Sequence, residues 1–234
     1  MPFMNLGYAS LDPNEEPLTL LDRDAAHRYC ISLYHHVVGA IDLQGREVLE
    51  VGSGRGGGAS YVMRYLHPRS VTGVDIVQKA VHFCNTFYQI DGLRFLLGDA
   101  EALPFDDQSF DVVINIESSY GYGHIERFFG EILRVLRPGG YFLYADYRRH
   151  EQIATLRQHL LDTGFTVFID ERISNQVVKA LDLDQERKSN LIEQKVPRLL
   201  RPSFHYFAAS PGSEMYQALR SGAIDYRRFV LCRG

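Results

Sequence analysis

Glu50-Val51-Gly52-Ser53-Gly54-Arg55-Gly56-Gly57-Gly58 places five glycines among nine residues directly after a short apolar run. Glycine admits positive φ and lets backbone come close to a ligand. Where such a loop opens a helix, the free N–H groups point at whatever is bound. Alone, the loop reads equally well as tight packing. Asp75 ends the next β-branched run, 21 residues beyond Gly54, where a carboxylate can accept both hydroxyls of a ribose. The Gly-Lys-Ser/Thr of a phosphate-cradling loop is missing. Gly98-Asp99-Ala100 closes a third run. There Asp99 can accept from an adenine amino group while the Ala100 N–H serves a ring nitrogen. Asp99 also suits a helix cap or a turn.

These residues need strand ends to hold them, and the surrounding pattern supplies strands. Ala25, Tyr29, Leu33, Val37 and Ile41 recur every four residues, which predicts an amphipathic helix over 22–41. Strands are expected at Val48–Val51, Val71–Ile76, Leu93–Leu97, Phe110–Ile116 and Tyr141–Ala145, the fourth apolar enough to be buried on both faces. Helices are expected over 58–66, 77–89 and 125–137, the last stopping at Pro138-Gly139-Gly140. Strands alternating with such helices indicate βαβ units, a mostly parallel sheet and an α/β sandwich. Beyond 150 the expectation is a helix over 150–163, a strand at Thr166–Ile169, a polar helical tract over 174–200 and a last strand at 227–232. The interval 174–224 is too long for a simple connection and reads as a cover over a substrate.

The chain has 234 residues, 45% of them hydrophobic and 23% charged, which suits a single globular domain. No window approaches the roughly 18 uncharged apolar residues of a membrane span, and the first residues lack the pattern of a signal peptide. A soluble cytoplasmic protein is therefore expected. Cys30, Cys84 and Cys232 are odd in number and far apart, suggesting neither disulfides nor zinc. A net charge of −4 gives no reason to expect nucleic acid. A small molecule is the expected partner, and homo-oligomerisation stays open.

In combination, Val48 to Gly56, Gly73-Val74-Asp75-Ile76, Gly98 to Phe105, Ser109 to Val113 and Arg134 to Gly140 resemble the class I S-adenosylmethionine-dependent methyltransferases. Within that class, Gly56 to Tyr61, the segment Asn115 to His124 and Tyr144-Ala145-Asp146 are similar to the phthiotriolone and phenolphthiotriolone dimycocerosate methyltransferase group of natural-product tailoring enzymes. The resemblance implies a Rossmann-like fold: a seven-stranded, mostly parallel sheet with helices on both faces and a helical insertion before an antiparallel last strand. It implies S-adenosyl-L-methionine as cofactor and S-adenosyl-L-homocysteine as product. Glu50, Gly52 and Gly54 would meet the methionine part, Asp75 the ribose, and Ile76 the adenine, with Gln78 also in the cofactor-binding set. Asp99 and Ala100 would contact the adenine edge, while Asn115 and Ile116 would lie beneath the sulfonium. Asn5-Leu6-Gly7-Tyr8 resembles an N-terminal Asn-x-Gly-Tyr segment whose tyrosine closes over the cofactor; a frayed terminus is the other reading of Tyr8. One domain then divides into a cofactor-covering segment (1–44), a cofactor-binding core (45–173), a substrate cover (174–224) and a last strand (225–234).

An aliphatic hydroxyl acceptor needs a base, and the candidates follow the fourth strand: Glu117, Tyr120 and His124, with Ser118, Ser119 and Tyr122 between them. The resembled group carries His where this chain has Tyr120 and retains His124. Either His124 takes over as base, or the acceptor is acidic enough to need less help. His124 also suits a surface or capping role, and Glu117 a structural acceptor. Asp146 could touch substrate or metal, but without neighbouring ligands no metal is expected. Tyr120, Tyr122, Phe128, Tyr147, Phe204, Tyr206 and Phe207 suggest an apolar or aromatic acceptor, although single aromatics more often pack the core. Oxygen is the expected methyl acceptor and activated carbon the rival. A non-catalytic cofactor-binding protein, an RNA methyltransferase and a nicotinamide dehydrogenase are the remaining readings.

Overall fold

The computed structural model describes residues 2–234, the side chains of Pro202, Tyr206 and Phe207 excepted. Seven strands form one sheet: β1 (Glu47–Val51), β2 (Ser70–Asp75), β3 (Leu93–Leu97), β4 (Phe110–Ile116), β5 (Leu136–Arg149), β6 (Phe165–Arg172) and β7 (Ile224–Arg233), in the order β3-β2-β1-β4-β5-β7-β6. The pairs among β1 to β5 are parallel, and β7 runs antiparallel between β5 and β6. The helices are α1 (Asp22–Ala25), α2 (Arg28–Val38), α3 (Gly57–Leu66), α4 (Gln78–Phe87), α5 (Ile125–Val135), α6 (Ile153–Thr163), α7 (Ser174–Leu183), α8 (Gln185–Lys195), α9 (Arg201–Phe207) and α10 (Glu214–Ser221).

Successive strand side chains point to opposite faces, so the sheet builds two cores. Val48, Ile114, Leu143 and Tyr226 join Tyr34 of α2, Tyr61 of α3 and Val177 of α7 on one face. Leu49, Val113, Phe142 and Phe229 join Phe128 of α5 and Leu160 of α6 on the other. Burial of this apolar surface is the main term favouring the fold. Strand order reverses between β1 and β4, which makes the carboxyl ends of those two strands the crevice where α/β sheets bind ligands.

Some element boundaries move. The helix expected over 22–41 is two helices, α1 and α2. The helix expected to stop at Pro138 ends at Val135, because a proline disfavours helical geometry in the residue before it. Leu136 instead pairs with Phe110 and Tyr141 with Val112, so the Pro-Gly-Gly residues form a bulge inside β5. Arg137 holds that bulge down through Asp111 and Glu47, at 2.8 and 2.6 Å. The polar tract after 174 breaks at Asp184 into α7 and α8. β5 and β7 outrun their expected lengths because they pair from Tyr141↔Cys232 to Arg149↔Ile224. All three cysteines are free. Among the described residues no helix is long and apolar enough to cross a membrane, and no group of acids, histidines and cysteines could hold a metal ion.

Candidate functional site

The chain leaves β1 through Gly52, Gly54 and Gly56 at φ of +73°, +52° and +75°. Space as well as dihedral demands glycine here. A Cβ at residue 52 would overlap Ser118 Oγ, and one at 58 would overlap the Tyr34 ring. Asp75 ties this loop to β2: its Oδ2 accepts the Gly54 N–H at 2.7 Å and its Oδ1 the Val77 N–H at 2.8 Å. A carboxylate retains lone pairs for ligand hydroxyls after two such bonds.

Two cavities meet at Gly52. One, of ≈ 580 Å³, has Met4, Leu6, Gly54, Glu117, Tyr120 and Tyr147 on its wall. The other, of ≈ 320 Å³, is walled by Asp75, Ile76, Asp99, Ala100 and Tyr122. The Ser118 and Tyr122 hydroxyls bond at 2.7 Å and lie over Gly52, marking the boundary. Asn115 Nδ2 donates to Val51 O at 2.9 Å and to the Tyr122 hydroxyl at 3.1 Å, which links β4 to that boundary.

S-adenosylmethionine carries an ammonium, a carboxylate, a ribose and an adenine, and the residues fit it. Glu50 Oε2, Ser53 Oγ and Asn115 Oδ1 are buried acceptors without a partner, and Arg55 Nε is a buried donor without one. An unsatisfied buried group costs about 1–3 kcal/mol, and a zwitterionic end beside the loop would relieve Ser53 and Arg55, which line the larger cavity. Glu50 itself sits beneath the loop, its Oε1 accepting from the Tyr34 hydroxyl at 2.6 Å. Burial pushes its carboxyl group up to about 7, against the Tyr34 hydrogen bond that pulls it down. Asp75 with Ile76, Asp99 and Ala100 could supply a carboxylate, an apolar plate and an edge for a nucleoside.

Glu117 is the acid on the larger cavity's wall. It follows β4 at φ +51°, left-handed geometry that is uncommon outside glycine and frequent at functional sites. Its Oε1 accepts the Leu6 N–H and the Tyr226 hydroxyl, both at 2.8 Å, so Oε2 is free for a ligand. Burial raises this carboxyl group to about 7. The two donors oppose that shift and the nearby Asp146 charge adds to it. A carboxyl group poised near neutrality can take or give a proton at working pH. Behind it, buried Asp146 accepts from Ser119 Oγ at 2.6 Å, Tyr120 N at 3.0 Å and Tyr147 N at 2.8 Å, with Arg148 at 3.1 Å. That network fixes the Tyr120 and Tyr147 rings, stacked at 4.9 Å, as an aromatic wall.

The structure brings together Gly52, Gly54, Ile116, Glu117 and Tyr120 on one cavity, and Asp75, Ile76, Asp99 and Ala100 on the other. Several expectations change. Tyr8 does not close over the glycine loop; its ring stacks on His36 at 4.2 Å in a separate cavity, because its N–H is bound to Tyr29 O. Residues 2–6 line the loop's cavity instead. His124 is exposed at the start of α5, its N–H held by Glu101 Oε1 at 2.9 Å, and lines neither cavity. Gln78 is exposed at the start of α4, outside both. Glu50 and Asn115 support the walls from behind. Asp146 is a structural anchor, and among the described residues no metal-type group forms around it. Of the expected aromatic wall, Phe128 is fully buried in the core and Phe204 lies exposed on α9, while the Tyr206 and Phe207 side chains lie outside the described residues. Sequence reasoning missed Tyr34, Tyr226 and Met215. Tyr34 follows Leu33 in the predicted helix, a usable signal; nothing local marks Tyr226.

A methyltransferase-domain family model matches residues 49–144, the stretch holding the glycine loop, Asp75 and Asp99. The chain is similar to the phthiotriol/phenolphthiotriol dimycocerosates methyltransferase of Mycobacterium tuberculosis, with 40% identity across 99% of this chain and 85% of that one. It is 37% identical to a fatty-acid O-methyltransferase of Mycolicibacterium smegmatis, across 99% of this chain and 83% of the relative. Among solved structures, a cyclopropane synthase from Mycobacterium tuberculosis superposes with a TM-score of 0.74 at 19% identity, covering 99% of this chain and 92% of that one. At that identity the likeness concerns the fold alone.

Proposed function

Because this chain belongs to the S-adenosylmethionine-dependent methyltransferases, in the group that includes the phthiotriol/phenolphthiotriol dimycocerosates methyltransferases, we propose that it methylates a hydroxyl oxygen on an apolar, lipid-like or aromatic small molecule, with Glu117 as base. The observation that carries this reading is the free Glu117 Oε2 on a cavity wall shared with Met4, Leu6, Tyr120, Tyr147, Met215 and Ile224. The sulfonium of S-adenosylmethionine supplies an electrophilic methyl group. This chain's task is alignment, exclusion of water and disposal of one proton.

In this reading the glycine loop and Arg55 hold the amino-acid end, with Glu50 bracing the loop from beneath, and Asp75, Asp99 and Ala100 hold the nucleoside. The acceptor lies against Tyr120 and Tyr147, with its hydroxyl at Glu117. As the oxygen–carbon bond forms and the sulfur–carbon bond breaks, the hydroxyl proton passes to Glu117 Oε2, which returns it to water after product leaves. Of the segment 1–44, residues 2–6 and Tyr34 cover the cofactor, 45–173 hold it, and 174–224 cover the acceptor through Met215; Met1 lies outside the described residues. The acceptor's size and polarity come from the cavity; the choice of oxygen comes from the base. A carbon acid could use the same Glu117, which makes carbon the second reading.

The test is incubation with methyl-labelled cofactor and a panel of long-chain secondary alcohols, phenols, fatty acids and β-keto esters, with mass-spectrometric localisation of the label. Label on a hydroxyl oxygen supports the proposal. Label on carbon installs the second reading, and label on a carboxylate, which needs no base, overturns the role of Glu117.

A further inference from the structure

The turn between α8 and α9 and the start of α9 present apolar side chains to solvent. Leu199 is 90% exposed, Leu200 49%, and Phe204 48% one turn further on. Isolated exposed leucines are ordinary, but three within six residues form a patch that marks an interaction surface. The flanking chemistry is cationic. From Lys195 to Ser213 the chain has Lys195, Arg198 and Arg201 and no carboxylate, although the whole protein has a net charge of −4. Lys195 and Arg198 are exposed. Arg201 braces the turn, donating to Val196 O at 3.1 Å and Glu193 O at 2.6 Å.

The patch is coupled to the site. Lys188 of α8 donates to Leu6 O at 3.1 Å, and Leu6 is on the wall of the larger cavity. α9 packs against both α8 and α10, and α10 contributes Met215 to that wall. Whatever holds the turn therefore sits beside the acceptor cavity.

We propose that residues 195–204 form a lipid-surface anchor, with Leu199, Leu200 and Phe204 entering the apolar boundary of a bilayer and Lys195 and Arg198 facing anionic headgroups. Apolar side chains ringed by Lys and Arg are the pattern that binds anionic interfaces. A second copy of the chain is the poorer occupant, since a symmetric contact would bring these acid-free cationic turns against each other. An anionic lipid satisfies both features together. The purpose of the anchor, collecting an acceptor that partitions into lipid, rests on the apolar-acceptor reading above; the anchoring itself does not.

The experiment is co-sedimentation of the full chain with vesicles of phosphatidylcholine alone, or phosphatidylcholine with phosphatidylglycerol, without cofactor or acceptor. The expected result is preferential pelleting with the anionic vesicles that weakens with salt and falls about fivefold for each of Lys195→Gln and Arg198→Gln. Leu199→Glu combined with Leu200→Glu should abolish it while leaving the melting temperature and S-adenosylhomocysteine affinity unchanged. Failure of the wild type to pellet, or equal pelleting of the double variant, overturns the anchor. So does a wild-type dimer in sedimentation velocity that the double variant converts to monomer. Because no turnover is read, a failed anchor and a failed methyltransferase reading stay distinguishable.

Discussion

The Tyr226 hydroxyl donates to Glu117 Oε1 at 2.8 Å, joining residues 109 apart in the chain. The Leu6 N–H donates to the same oxygen at 2.8 Å. Two donors on one oxygen leave Oε2 free, so in the proposed reaction Tyr226 would position the base. If Glu117 accepts the acceptor's proton, Glu117→Gln should lower kcat by roughly 10²–10⁴-fold with little change in KM. Wild-type kcat should rise as pH passes through about 7, where Glu117 ionises. Tyr226→Phe removes a donor that favours the carboxylate, so the acid limb should move to higher pH; an unmoved limb would remove Tyr226 from the mechanism.

The same raised carboxyl group makes a statement about stability. Glu117 stands near 4.5 in the unfolded chain and about 7 when folded, so the folded state binds the proton more tightly. Its contribution is fully present below about pH 4.5 and is lost as pH rises through about 7. Glu117→Gln keeps an acceptor for Leu6 and Tyr226 and carries no charge. It should be more stable than wild type at pH 8, on the order of 1–3 kcal/mol, and nearly equal to it at pH 4. Urea melts at the two pH values measure this, and equal differences at both would refute it.

Asp75→Ala removes the carboxylate placed for the ribose and also frees the Gly54 and Val77 N–H groups. Affinity for S-adenosylhomocysteine should fall at least about tenfold, given about 1.5–3 kcal/mol for hydrogen bonds to a charged group. Isothermal calorimetry reads this, and unchanged affinity would refute the ribose assignment.

Gly52→Ala puts a methyl group where Ser118 Oγ lies, at a backbone φ of +73°. It should displace the Ser118–Tyr122 pair and weaken cofactor binding even if the fold survives. Calorimetry with circular dichroism as a fold control separates the two effects; normal affinity would mean that the pair does not shape the cofactor site.

His124→Ala should keep kcat within about threefold of wild type, because the ring is exposed at the start of α5 and lines neither cavity. A loss of 100-fold or more, on the scale expected of a general base, would return His124 to the mechanism.

The β1 loop shows how far local chemistry reaches. Five closely spaced glycines after an apolar run, with Asp75 after the next, mark out a candidate nucleoside site because each strand and turn is specified by its own neighbours. The same reasoning finds β3 and β4 at their observed limits. It stumbles where pairing partners decide the outcome. The bulge in β5 depends on Arg137 reaching Asp111 and Glu47, and β7 lengthens because β5 and β6 flank it. Tyr8 and His124 fit motifs, yet a hydrogen bond to Tyr29 and one to Glu101 hold them outside the cavities.

By itself the sequence determined the mostly parallel α/β sheet, the glycine loop and the strand-end acids Asp75 and Asp99, since periodicity and turn chemistry act over a few residues. Only the tertiary structure decided which ionisable side chain lines the larger cavity. Glu117 rather than His124 stands on the larger cavity's wall, where the antiparallel β5–β7 register carries Tyr226 to it and the N-terminal segment carries Leu6. Those contacts span more than a hundred residues, and burial, which raises the Glu117 carboxyl group toward neutrality, exists only once the chain has closed around it.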